Sequence, residues 1–502
     1  MFKKQSNIFK KKTLSILVAS LCAFSLAGCN SSNDPKQPPE IEPEVKVTTG
    51  VWSSPAYGVA VEATDDEYIM YQFTNDTCQT WAFGDFFDVD YSSFIESVEV
   101  SNDQNSMTTT LAELKFPGIV MDKQVSLPDN CTTALISQLG DDDYTFDAEA
   151  ELNIFWQTFK EHYAFFHLED VNWDDTYQFA LNAVQSDTTE EELFEILAAM
   201  VAPLKDFHVE LINTNTGDDF SASRKPVLEN IAIMDFINVN AIEPPFLDEK
   251  FADFPQYYEE AIGKAEAAIL NHVSDGEEVH FNENGTIIWS KIDSNLGYIL
   301  FKSMDHEAVG TEGLSIEENL NILTATMDNV LSDLDGVDGL VIDVRFNEGG
   351  TDRVNQNIIS RLIDSDLVAF SKQTRLGDGR TELQEVVIEP QGTSNYLGPI
   401  AVLTSTTSAS SAEVLALIIR ERGDSAVIGE RSAGGFSDQL IKTLPFGMLY
   451  TISNEFYVSN SGEEFEGVGV PVDIEQPFFT LEQRETGTDL GLASAITWLT
   501  NL

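Results

Sequence analysis

Basic residues are scarce in this chain: 28 lysines and arginines stand against 84 aspartates and glutamates, for a formal charge of -56. Such a field repels polyanions, which excludes nucleic acid and an anionic membrane surface as partners. It could draw in basic peptides, but the plainer reading is a solvated acidic exterior suited to a salty medium. Cysteine is scarcer still, with four in 502 residues. The six histidines never fall at a His-x-x-x-His spacing, and the acidic residues are scattered rather than grouped as ligands. No metal and no cofactor is therefore expected. The apolar run from Leu14 to Leu26 is too short for a comfortable membrane span.

That run does have the flanks of an export signal. Lys3, Lys4, Lys10, Lys11 and Lys12 precede it, and Leu26-Ala27-Gly28-Cys29, which resembles a bacterial lipobox, closes it. The expectation is a signal peptide over 1–28 and a lipid on Cys29, the membrane being touched only through that lipid. Asn30, rather than an aspartate, favours an outer-membrane anchor in a Gram-negative envelope, facing periplasm or exterior. Residues 29–46, with Pro35, Pro38, Pro39 and Pro43, read as an extended tether. Cys22 leaves with the signal, so Cys78 and Cys131 remain as an even pair in an exported protein, and a disulfide is expected between them.

The remainder is long enough for two or three domains. Residues 47–135 alternate apolar and polar side chains, as in Tyr68-Ile69-Met70-Tyr71-Gln72-Phe73, and predict a small β-rich domain. Over 146–212 the period becomes helical. Phe155, Trp156, Phe159, Tyr163 and Phe166 recur three or four apart, as do Leu193, Ile196, Leu197 and Met200. Thr188-Thr189-Glu190-Glu191-Glu192 has the look of a helix start. A helical bundle is expected there, its aromatic stripe being core. Residues 213–285 read as an irregular insert with one helix over 254–272. From 286 to 502 strands and helices alternate, which predicts an α/β core of mixed or largely parallel strands.

Within that core one segment stands out. An apolar run, 399–403, leads through Thr407-Ser408-Ala409-Ser410-Ser411-Ala412-Glu413 into Val414-Leu415-Ala416-Leu417-Ile418-Ile419. Strand, small-residue turn and helix follow one another, so a serine sits where a helix begins. The unpaired N–H groups and the dipole of a helix start favour developing negative charge, as a nucleophilic serine and its oxyanion site require. Alone, the segment fits a capped helix equally well.

Its neighbours decide between the two. Asp343-Val344-Arg345-Phe346-Asn347-Glu348-Gly349-Gly350 resembles a signature of the tail-specific (C-terminal processing) peptidases, the tricorn protease core and the interphotoreceptor retinoid-binding modules. The serine segment, Gly429-Glu430-Arg431 and Glu466-Gly467-Val468-Gly469-Val470 match in the same order. The likeness spans roughly 146–480. It implies a crotonase- or Clp-protease-like mixed α/β core behind the bundle and the β-rich domain. It also implies serine peptidase activity on peptide or protein substrates. Counting back three residues from Glu413 makes Ser410 the nucleophile. Ser411 and Gly349 or Gly350 would then supply oxyanion N–H groups.

The resemblance also implies a base. Tail-specific peptidases use a lysine at the position that is Gly435 here, and Lys442 lies several residues beyond it. The tricorn-like branch uses instead a histidine before the core and a glutamate near its end. Those positions are His208 in Leu204-Lys205-Asp206-Phe207-His208, and Glu466. A Ser410–His208–Glu466 site is therefore expected, with the chain closer to that branch. Two departures stand. Phe207 replaces the serine that relays between histidine and glutamate, and no carboxylate-binding peptide module is recognisable in 213–285. The rival reading, a non-catalytic binder of apolar or peptide ligands on this scaffold, draws on Phe207 and on the missing lysine, while the absent module removes the usual basis of tail specificity. Arg345 and Asp343 are expected to pair within the core.

Overall fold

The structure, a computed structural model, describes residues 49–64, 68–81, 95–111, 115–223, 228–244, 248–273, 278–292, 295–392 and 394–502. The signal 1–28, Cys29 and the tether 29–46 lie outside the described residues.

At the centre is a seven-stranded sheet in the order His280–Phe281, Ile287–Ile292, Leu296–Phe301, Gly339–Asp343, Ile400–Thr404, Ser425–Gly429, Ile474–Glu475. The first two pairings are antiparallel and the rest parallel, which gives the mixed α/β core that strand–helix alternation predicts. Parallel strands joined by helical crossovers are covered on both faces, and so read as continuous apolar runs. Leu340 and Ile342 point to one face, against the helices Ile316–Asp333, Asp352–Ile359 and Ser411–Arg420. Val341 points to the other, against Phe254–Val273 and Leu490–Thr500. Each such buried side chain contributes about 1.5–3 kcal/mol.

This topology places the chemistry. Gly339–Asp343, Ile400–Thr404 and Ser425–Gly429 are adjacent and parallel, with Asp343 opposite Leu403 and Thr404 opposite Gly429. Their carboxyl ends therefore release three segments side by side: the glycine loop 344–350, the serine turn 405–410, and a strap, 430–438. Sites in α/β sheets form at this edge. Arg345 locks it from beneath, its Nη2 lying 2.6 Å from Asp343 and 2.7 Å from Asp489 at the start of the C-terminal helix.

A four-stranded sheet, Gln439–Thr443, Met448–Ser453, Glu210–Asn213 and Asp218–Ser221, continues from the strap and carries the end of the helical bundle. The bundle itself consists of Ala148–His162, Trp173–Ala183 and Glu190–Val201, the last opened by a Thr189/Glu192 capping box. Its aromatic stripe is core: Phe155, Phe159 and Tyr163 are buried. A further four-stranded sheet contains Leu367–Leu376, Gly379–Arg380, Gln384–Ile388 and Glu455–Val458.

The N-terminal region is one antiparallel seven-stranded sheet between Gly50 and Gln124, and Cys78 is disulfide-bonded to Cys131. It shares a core with the bundle and the 439–453 hairpin.

The stretch 213–285 is less irregular than the sequence suggests. Besides Phe254–Val273 it contains the strand Asp218–Ser221 and the helix Leu228–Val239. The second helix lacks a polar stripe: Ile231, Ile233, Met234, Phe236 and Ile237 leave no 3.6-residue pattern to read, and Met234 is exposed. Among the described residues, no helix is long and apolar enough to cross a membrane.

Candidate active site

Ser410 closes the turn after Ile400–Thr404 and caps the helix Ser411–Arg420. Its backbone lies at φ 53°, ψ -128°, a region that costs a non-glycine residue about 1–3 kcal/mol. Two contacts hold it there. Its N–H donates to the carbonyl of Gly435 at 3.0 Å and lies 3.2 Å from the carboxylate of Glu413.

Glu413 is fully buried and organises more than the helix start. Its carboxylate also accepts from the Ser432 hydroxyl at 2.5 Å, the Gly434 N–H at 2.6 Å and the Gly435 N–H at 2.8 Å. One carboxylate thus fixes both the nucleophile candidate and the strap facing it. In the sequence it resembles an ordinary third-position capping residue, so its wider role was not legible.

The glycine loop presses against the serine from the other side. A Cβ on Gly349 would stand 2.6 Å from the Cβ of Ser410, and one on Gly350 would stand 2.1 Å from the Met304 carbonyl carbon. Both glycines also have positive φ, 110° and 140°, so neither position admits a side chain. The Gly349 N–H already donates to Asn347 Oδ1 at 2.8 Å. Gly350 is the exposed member of the pair. The N–H of Ser411 belongs to the first turn, where a helix has no internal acceptor to offer.

His208 is buried just ahead of Glu210–Asn213. Its N–H donates to Asp206 at 2.9 Å and its carbonyl accepts from the Thr451 hydroxyl at 2.7 Å. The Phe207 ring meets the imidazole edge-on, with centroids 5.1 Å apart. Asp206 is in turn held by Tyr163 at 3.0 Å and Ser453 at 2.9 Å.

Glu466 reaches the strap from the opposite direction. Its carboxylate accepts from the N–H groups of Phe436 and Ser437, both at 2.9 Å, while the Gly467 N–H donates to the Gly434 carbonyl at 2.7 Å. Burial and the neighbouring Asp206 push the Glu466 carboxyl well above the usual carboxylate range, against the pull of those N–H groups; Glu413 adds to the rise. A small cleft opens here, lined by Leu168, Lys205, Asp206, Phe207, Gly434 and Glu466, among others.

The strap is thus the meeting point. Ser410, Glu413 and Glu466 all hydrogen-bond to it, and a side chain at Gly435 would run into Phe207, one residue before His208. Lys442 lies elsewhere. It is buried and donates to the carbonyls of Tyr57 at 2.8 Å and Gly58 at 2.9 Å, docking the N-terminal sheet. Among the described residues, no group of three or more His, Cys, Asp or Glu is arranged to hold a metal.

Comparison with known proteins locates the likeness in the α/β core. Residues 295–476 match peptidase family S41. A stretch of 142 residues is 28% identical to the chloroplastic C-terminal processing peptidase of Tetradesmus obliquus, covering 28% of this chain and 29% of the relative. Another of 143 residues is 32% identical to the carboxy-terminal processing protease CtpB of Bacillus subtilis, covering 28% of each. The matches thus span less than a third of these relatives' lengths. The fold is similar to that of a candidate peptidase from Parabacteroides merdae, with a TM-score of 0.53 at 21% identity over 71% of this chain and 97% of the other. The glycine loop, serine turn and strap all fall inside the segment that matches peptidase family S41, and the curated relatives similar to it are C-terminal processing peptidases.

Proposed function

We propose that this protein is a serine peptidase of the cell envelope, lipid-anchored at Cys29, that hydrolyses peptide bonds with Ser410, His208 and Glu466. The observation that carries the reading is Ser410 itself. It is a strained, half-buried serine at a helix N-terminus, pressed on one side by a glycine that admits no Cβ and held on the other by the strap.

In this reading the Ser410 hydroxyl attacks the scissile carbonyl while the His208 imidazole takes its proton. Negative charge develops on the carbonyl oxygen, which the N–H groups of Ser411 and Gly350 receive. Losing one such donor typically slows turnover by about 10²–10³-fold. The imidazolium then protonates the departing amine, and water releases the acyl group by the reverse sequence. Glu466 stabilises the imidazolium from the cleft side. Burial favours the protonated Glu466 carboxyl, and an imidazolium forming beside it would favour ionisation instead.

A lysine base is disfavoured because Gly435 occupies its position and Lys442 is engaged with the N-terminal sheet. Hydrolysis of casein or a peptide library by the wild type, beside Ser410→Ala, tests the proposal. Turnover by the wild type that the variant loses supports it; equal turnover by both, or by neither, contradicts it.

A further inference from the structure

A second lysine lies directly beneath the site. Lys372, on the strand Leu367–Leu376, is buried, and its Nζ stands 2.6 Å from Asp438, 3.5 Å from Glu455 and 3.9 Å from Asp352. The same ammonium lies 4.4 Å over the Tyr457 ring. Two phenols complete the cluster: Tyr457 donates to Asp352 at 3.1 Å and Tyr57 donates to Glu455 at 2.5 Å. Burial alone would discharge Lys372, but Asp438, Glu455 and Asp352 outweigh it and push its pKa upward. Lys372 is therefore a fixed cation and not a base.

Two of these carboxylates belong to the segments that grip Ser410. Asp352 opens the helix Asp352–Ile359 directly after Gly349-Gly350-Thr351, and the Ser411 hydroxyl bonds to it and to the Thr351 carbonyl at 3.2 Å. Asp438 ends the strap, next to Ser437, whose N–H holds Glu466 and whose hydroxyl accepts from the Glu455 N–H at 3.0 Å. One cation thus spans the glycine loop and the strap.

We propose that Lys372 is a positioning residue, holding the glycine loop and the strap at the spacing that aims the Ser410 hydroxyl and the oxyanion donors. The inference rests on Ser410 being the nucleophile and goes beyond it. Lys372 touches no substrate; it acts through Asp352 and Asp438. Without the cation, their charges, with that of Glu455, repel across the gap. A misplacement of about 1 Å in such a site can cost on the order of 10²-fold in rate.

The test compares wild type, Lys372→Met and Lys372→Arg in the full-length protein. Three quantities are read: the rate of Ser410 labelling by a fluorophosphonate, kcat and KM for a peptide, and the thermal melt. Lys372→Met should remain folded, lose kcat and labelling rate by about 10-fold or more, and keep KM within about twofold. Its activity relative to wild type should rise as pH is lowered from about 8 to about 6, because a proton on Asp352, whose carboxyl is pushed up to about 6, then relieves the repulsion left by the missing charge. Lys372→Arg should recover most of the loss. If Lys372→Met does not fold, Asp438→Asn, which leaves Lys372 two carboxylates, should show the same kcat-selective loss. A folded Lys372→Met or Asp438→Asn labelled as fast as wild type would overturn the inference alone. Absence of any wild-type adduct would overturn the nucleophile assignment and this inference with it.

Discussion

A Cβ placed on Gly435 would stand 2.9 Å from the Cβ of Phe207, closer than two such carbons approach in a packed protein. By the resemblance read from the sequence, Gly435 falls where tail-specific peptidases have their lysine, and Phe207 where the tricorn-like branch has its relay serine. The missing lysine and the Phe207 departure are thus one steric arrangement: the phenyl-bearing residue sits where a side chain at 435 would have to leave the strap. Gly435→Ala should destabilise the protein by about 1–3 kcal/mol through overpacking. Phe207→Gly, which removes the Cβ of Phe207, should cost stability on its own, yet the double variant should melt higher than the sum of the single losses requires. Strict additivity in thermal or urea melts would mean that the contact is inconsequential. Gly435→Lys should not create a working base while Phe207 remains.

His208 and Lys442 separate the two possible chemistries. His208→Ala should lower kcat by two or more orders of magnitude with the melt nearly unchanged. Lys442→Met should instead lower stability, since it removes the ammonium that donates to the Tyr57 and Gly58 carbonyls, and should leave kcat per folded molecule within about twofold. Circular dichroism melts and active-site titration on the same samples distinguish these outcomes. A selective kcat loss in Lys442→Met would revive the lysine base.

Glu413 should be as sensitive as the nucleophile without touching substrate. Its carboxylate receives Ser410 N–H, Ser432 hydroxyl, Gly434 N–H and Gly435 N–H. Glu413→Gln turns one acceptor oxygen into a donor facing these donors, and should cost about 3 kcal/mol or more and slow Ser410 labelling at least 10-fold. A variant with wild-type melting and labelling would show that the strap holds without it.

Asp352 gives the stability a signed pH dependence. Burial, and then Asp438, push its carboxyl from 3.8 up to about 6, partly offset by Lys372. A raised carboxyl pKa means that the folded state binds the proton more tightly than the unfolded chain. The associated stability is fully present below the unfolded value and is lost as pH rises through about 6. Asp352→Asn should therefore flatten the fall in melting temperature between about pH 4 and 7. An equally steep fall in both proteins would place the titration elsewhere.

The sequence made local features legible and left the long-range ones obscure. Leu340-Val341-Ile342 reads as a strand buried on both faces, and the helix start that carries Ser410 and Glu413 is legible as a strand, a small-residue turn and an apolar run. The helix Leu228–Val239 was not legible because Ile231, Ile233 and Phe236 supply no polar face against which to see a period. Nor was the Lys372 cluster, since its partners come from four separate stretches of chain and each is an unremarkable charge in its own segment. Arg345 and Asp343 pair in the core as expected, because only Val344 separates them. Phe207 and Gly435 each looked like an isolated departure, and only the fold shows that they touch.

The central claim is that a hydroxyl held at φ 53° on a helix start is a nucleophile activated by an imidazole. Fluorophosphonate labelling followed by peptide mass mapping tests it most directly. The account predicts one adduct, on Ser410, forming at least 10²-fold more slowly in His208→Ala. An unlabelled Ser410 in folded wild-type protein, or an adduct forming equally fast in His208→Ala, would contradict it.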